Sequence, residues 1–147
     1  MSTPAHPVVS RYRLRRRVQF YETDTAGIVH FSWFYRYMEE AEHALWRAAD
    51  LSIAPPDAEV GFPRVAASFD FHKPLRFEDE FVVDLAIVEI SEKAIRYSAH
   101  VVKDGITIAT GRLAVACVKK RRGEPMVATA IPPDIARRFQ VVDTLKT

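Results

Sequence analysis

Apolar residues recur at three- and four-residue steps in one long stretch of the chain, and over most of the remainder the period is two. In the long stretch Phe34, Tyr37, Met38, Ala41, Leu45 and Ala48 share one side, while Arg36, Glu39, Glu40, His43 and Arg47 take the other. That is the pattern of an amphipathic helix. Ser32 suits its N-cap. The helix is predicted to stop near Asp50, since Pro55 and Pro56 cannot continue it.

From Val65 onward Val65, Ala67, Phe69 and Phe71 alternate with Ala66, Ser68, Asp70 and His72, a half-buried strand that Pro74 ends. Phe81, Val83, Leu85 and Ile87 share a face of the next run, and Ile95, Tyr97, Ala99 and Val101 share a face of the one after. Asp104-Gly105 signals a hairpin, so residues 106–118 form the last and longest strand, with a bulge expected at Gly111. An earlier strand is predicted over 14–20. Residues 1–10, with Pro4 and Pro7, read as a loose leader, and 133–147 as a short C-terminal helix or tail. Strand, long helix and four further strands make an α+β plan, a five-stranded antiparallel sheet curling around one helix.

A length of 147 residues suits one domain, 1–147, that buries roughly 70% of the surface its unfolded chain would expose. Apolar content of 48% and charged content of 27% are ordinary for a folded globule. No run approaches the roughly 20 apolar residues of a membrane span, and no secretory leader is legible, so the expectation is a cytoplasmic protein without a membrane partner. The single cysteine, Cys117, lies in the apolar run 113–118 and reads as packing rather than as a nucleophile. A net charge of +2 does not argue for nucleic acid. Two basic clusters, 11–17 and 119–122, read as solvated surface, with an electropositive patch for a phosphorylated ligand as the alternative.

Most catalytic constellations are absent: no phosphate-cradling glycine loop, no serine elbow, no paired cysteines. Histidines 6, 30, 43, 72 and 100 never fall at a metal-ligand spacing, so no metal or cofactor is expected. What remains is the loop before the helix, where Asp24 lies seven residues ahead of Phe31 and Gly27 permits a tight path between them. Unpaired N–H groups at a helix start polarise a carbonyl, and a nearby carboxylate can act as base or nucleophile. A thioester suits so sparse a site, because a thiol leaving group has a pKa near 8.5 and departs with little help. Taken alone, Asp24 reads equally as a turn or capping residue.

The stretch 18–41 resembles the signature of 4-hydroxybenzoyl-CoA thioesterase-like hotdog proteins: Asp24, Gly27 three residues on, the pair Ile28-Val29, His30-Phe31, and an aromatic-rich helix bearing Glu39 and Ala41. Phe69 to Pro74 with the turn after Phe77, and Gly123-Glu-Pro125 through Pro132, are similar to later parts of the same family. The resemblance implies a hotdog fold and hydrolysis of a small-molecule acyl-CoA to acid and coenzyme A. It makes Asp24 the nucleophile or general base, the Phe31 amide the polarising group and His30 a further catalytic candidate, with a structural histidine as its alternative. Gly27, Ile28, Val29, Trp33 and Phe34 would line the acyl pocket, with core packing as the equal alternative for the last four, and Lys73, Arg76, Lys119 and Arg121 would meet the coenzyme A phosphates, with a solvated rim as the alternative. Trp33 and Phe34 replace the amide and tyrosine frequent in the family. Coenzyme A enters only as substrate, and the resemblance also implies a homodimer or homotetramer with sites at subunit interfaces. An acyl-carrier-protein thioesterase and a non-catalytic acyl-CoA binder are the competing readings.

Overall fold

Five strands pair antiparallel and one long helix lies across them, in the positions the apolar periods demand. The computed structural model describes residues 7–121 and 123–142, so residues 1–6, Arg122 and 143–147, with those parts of the leader, the basic cluster and the tail, lie outside the described residues. In chain order the elements are β1 Arg11–Arg17, α1 Ser32–Ala48, β2 Val60–Gly61, β3 Arg64–Phe71, β4 Glu80–Ile90, β5 Ala94–Lys103, β6 Ile106–Ala116, β7 Val118–Lys119, β8 Val127–Ala128 and α2 Pro133–Ala136. The main sheet runs β1-β4-β5-β6-β3, and β2-β7-β8 form a small second sheet. No helix among the described residues is long and apolar enough to cross a membrane.

Alternation decides which face of the sheet the helix covers. Phe81, Val83, Leu85 and Ile87 of β4 and Ile95, Tyr97, Ala99 and Val101 of β5 are all buried. They meet Phe34, Tyr37, Met38, Ala41, Leu45 and Trp46 of α1 in one core. Burying each of the larger of these side chains contributes roughly 1.5–3 kcal/mol. Asp104 and Gly105 both take positive φ, 50° and 74°, the geometry of the tight turn that joins β5 to β6.

Three details depart from the expected plan. The first strand is Arg11–Arg17 rather than 14–20, because Tyr12, Leu14 and Arg16 point inward while Arg11 and Arg13 pair with Asp84 and Arg17 with Glu80. After it the chain tightens into a 3-10 turn, Phe20–Glu22. No bulge forms at Gly111, which pairs in register with Phe69 and Ala99. A β-carbon built there would lie 2.5 Å from the Phe69 ring, so the glycine makes room for an aromatic cover. Third, β3 is not half-buried: it is the last strand of the sheet, and Val65 and Phe71 are 60% and 46% exposed. One helix is too narrow to shield that edge.

Two carboxylates, Glu22 and Glu42, are fully buried. Glu42 is ion-paired with Arg64, whose guanidinium also reaches Glu39 at 3.2 Å. Burial pushes the Glu42 carboxyl above its ordinary range and the half-buried His43 imidazole below its own. A raised carboxyl pKa means the folded state binds the proton more tightly, so that stability is lost as pH rises above the ordinary value of 4.5. A lowered imidazole pKa has the opposite sign, and its stability is lost as pH falls below 6.5. Relative to the parent, Glu42→Gln should therefore gain Tm as pH rises from 4.5, and His43→Asn should gain Tm as pH falls from 6.5. Thermal melts across that range check both, and curves parallel to the parent would contradict the assignment.

Candidate active site

The segment between β1 and α1 is a small closed loop rather than an open connection. The Asp24 N–H donates to the Ile28 carbonyl at 2.9 Å, and the Gly27 N–H donates to the Asp24 carbonyl at 2.9 Å. Asp24 Oδ1 accepts the Ala26 N–H at 2.8 Å, so one carboxylate oxygen fastens its own turn. Gly27 has φ of 79°, a conformation that a side chain would strain. Asp24 is exposed, and its Oδ2 has no hydrogen-bond partner among the described residues.

Beyond the turn the chain is stitched down before the helix starts. The Val29 N–H donates to the Leu75 carbonyl at 2.8 Å, and the His30 N–H to the Glu22 carbonyl at 2.9 Å. His30 Nδ1 accepts the Ser32 N–H at 3.3 Å and lies 2.8 Å from Ser32 Oγ, so Nε2 is left to carry the proton of the neutral ring. The imidazole thus satisfies one N–H of the first helical turn, and Ser32, the expected N-cap, is the first helical residue instead. The Trp33 and Phe34 N–H groups find the carbonyls of His30 and Phe31. The Phe31 N–H has no acceptor among the described residues, and Phe31 itself is 58% exposed. An unpaired amide at the positive end of a 17-residue helix is a ready oxyanion donor.

The other candidate residues divide into four groups. Ile28 and Arg76 form an isolated bridge, and Arg76 Nη1 lies 3.9 Å from where a Gly27 β-carbon would be, so Arg76 borders the Asp24 turn. Lys73 is exposed on the far side of the same connection, where its N–H donates to the Ile108 carbonyl. Val29 and Phe34 belong to the core, at 5% and 3% exposure. Trp33 is half-buried between Tyr21 and Tyr37, with the Arg36 guanidinium 5.2 Å over its ring.

A groove of about 430 Å³ starts at Phe31 and Ser32 and runs between α1 and β3, with Tyr35, Glu39, Arg64 and Ala67 among its walls. Its size falls in the range of small-molecule sites. Sequence reasoning missed Tyr35, Glu39 and Arg64 here. The available signal was the i, i+4, i+8 row Phe31, Tyr35, Glu39, which shares a helix face. Among the described residues no group of histidine, cysteine and acidic side chains is placed to hold a metal ion.

The sequence profile of the thioesterase-like superfamily matches residues 18–139, a span that holds the Asp24 turn, α1 and the whole of the sheet beyond β1. The chain belongs to that superfamily. A hypothetical protein from Aquifex aeolicus superposes with a TM-score of 0.78 at 33% identity, over 85% of this chain and 96% of that one. A gentisyl-coenzyme A thioesterase superposes with a TM-score of 0.76 at 29% identity, over 84% of this chain and 98% of that one. A 1,4-dihydroxy-2-naphthoyl-CoA hydrolase of Crocosphaera subtropica is 33% identical over 79 residues, 52% of this chain and 58% of the relative. The fold is accordingly the hotdog fold, and the protein is a thioester hydrolase.

Proposed function

We propose that this thioesterase hydrolyses a small-molecule acyl-CoA to the free acid and coenzyme A at the junction of the Asp24 turn and the start of α1. The observation that carries the reading is that Asp24 Oδ2 and the Phe31 N–H, toward the two ends of one closed loop, both lack a hydrogen-bond partner among the described residues. In the mechanism the thioester oxygen accepts the Phe31 N–H. Asp24 then either attacks the carbonyl carbon, expelling the thiolate and leaving an anhydride that water cleaves, or takes a proton from water as the water attacks. Both routes consume one water and yield acid and thiol, and neither requires a cofactor because the thiolate leaves readily. His30 serves by capping the helix that presents the amide.

The groove along Tyr35 and Ala67 would take the acyl group. Arg76 and Lys73 would meet the phosphates of coenzyme A. Support for an acyl-CoA comes from the relatives, of which one is named for gentisyl-coenzyme A and another for 1,4-dihydroxy-2-naphthoyl-CoA. The exposed edge β3, a wall of that groove, argues for a homodimer or a higher homo-oligomer that completes the site between subunits.

Thiol release from short, medium, long and aromatic acyl-CoAs, with acyl-carrier-protein thioesters as a parallel arm, tests this. Saturable turnover of at least one acyl-CoA is expected. Turnover confined to the carrier-protein substrates would overturn the coenzyme A assignment, and binding without release from either would make the protein a binder.

A further inference from the structure

Glu22 stands two residues before Asp24 and is fully buried, although it touches neither the groove nor the Asp24 carboxylate. Its Oε1 accepts the Tyr37 O–H at 2.8 Å and the Gln19 N–H at 2.9 Å. Its Oε2 lies 2.6 Å from Arg16 Nη1, a close ion pair whose alignment is off that of a hydrogen bond. Arg16 is held in turn by Glu40 at 2.8 Å and sits 4.7 Å over the Tyr37 ring. The backbone carbonyl of the same Glu22 accepts the His30 N–H.

Burying a carboxylate costs several kcal/mol before its partners compensate, and an apolar side chain would fill the space without that cost. What an apolar residue cannot do is tie one point of the chain to β1, to α1 and to the far end of the loop together. We infer that Glu22 is the positioning residue of the active site: its carboxylate anchors the start of the loop to Arg16 and Tyr37, and its carbonyl anchors the end next to Phe31. One buried residue thereby sets the separation between the Asp24 carboxylate and the Phe31 amide. Residues 24–27 are exposed and held mainly by their own turn, so without these anchors the loop would open locally. A displacement near 1 Å at a reacting group costs about a hundredfold in rate. The inference rests on the proposed roles of Asp24 and Phe31.

The test compares the parent with Glu22→Gln and Tyr37→Phe. Glu22→Gln keeps the shape but turns the Arg16 contact into donor facing donor. Tyr37→Phe removes one hydrogen bond and leaves the charge. Expected for Glu22→Gln is a fall in kcat of about tenfold or more with KM within about threefold, and a smaller fall of the same kind for Tyr37→Phe. Amide exchange at Asp24, Gly27 and His30 should quicken by about tenfold or more, while amides shared by β4 and β5 keep their parent rates. A folded Glu22→Gln with parental kcat, or a loss of kcat accompanied by faster exchange across the whole sheet, would overturn the assignment. Should Glu22→Gln fail to fold, Tyr37→Phe decides by the same two readouts. A parent that releases no thiol would sink the roles of Asp24 and Phe31, and loop exchange would then report on the anchor by itself.

Discussion

Asp24→Asn should lower thiol release from the best acyl-CoA substrate by about a hundredfold or more, since removing a positioned base or nucleophile typically costs that much. The substitution is well suited to the question, because the asparagine Oδ1 can still accept the Ala26 N–H that Asp24 accepts at 2.8 Å. The turn therefore keeps its form, and the charge at the other oxygen is what disappears. The loss should fall on kcat, with KM close to that of the parent, as expected when an interaction made only in the transition state is removed. Melting temperature should change little, because the carboxylate is exposed and the other bonds of its turn join backbone groups. Equal turnover by parent and variant would rule out Asp24 as the reacting carboxylate. Attention would then move to Glu39, the acidic group lining the groove.

The second large effect is on stability. Trp46 is 1% exposed, donates its indole N–H to the Tyr97 hydroxyl at 3.0 Å, and packs against Phe62 and Phe139 at centroid distances of 4.9 Å each. Trp46→Ala should cost about 3–5 kcal/mol, from lost burial and from the cavity left behind. For a domain of this size each kcal/mol shifts Tm by roughly 2–4 °C, so a drop of about 6–20 °C is expected. Fifteen residues of helix separate Trp46 from Phe31, or roughly 22 Å at 1.5 Å per residue. Turnover per folded molecule, measured well below the melting point, should therefore match the parent. A Tm shift under about 3 °C would mean that the site collapses around the cavity or that the indole carries far less of the core than its burial indicates.

The helix and the inward faces of β4 and β5 were legible because each is a repeated local choice. Phe34, Tyr37, Met38 and Ala41 can share a face only in a helix, and Phe81, Val83, Leu85 and Ile87 only in a strand. The Asp24 turn was legible for a similar reason, since a glycine with positive φ three residues after an aspartate closes on itself through bonds of short range. Arg16 was the exception in β1: its charge placed it with the outward arginines, whereas its inward position depends on two partners, Glu22 and Glu40, from separate parts of the chain.

By itself, then, the sequence determined the element types, the hairpin at Asp104-Gly105, the loop that carries the candidate carboxylate and, through resemblance, the family. The tertiary structure alone decided that β3 lies at the sheet edge with Val65 and Phe71 uncovered, and that Glu22 and Glu42 are buried. It also decided that Tyr35, Glu39 and Arg64 meet in one groove. The physical reason is range. Period and turn chemistry act over a few residues and leave a mark in the local pattern. The burial of a charge or the exposure of an edge depends on which distant segment comes to rest against it, as β1 and α1 do on Glu22, and no local pattern records that.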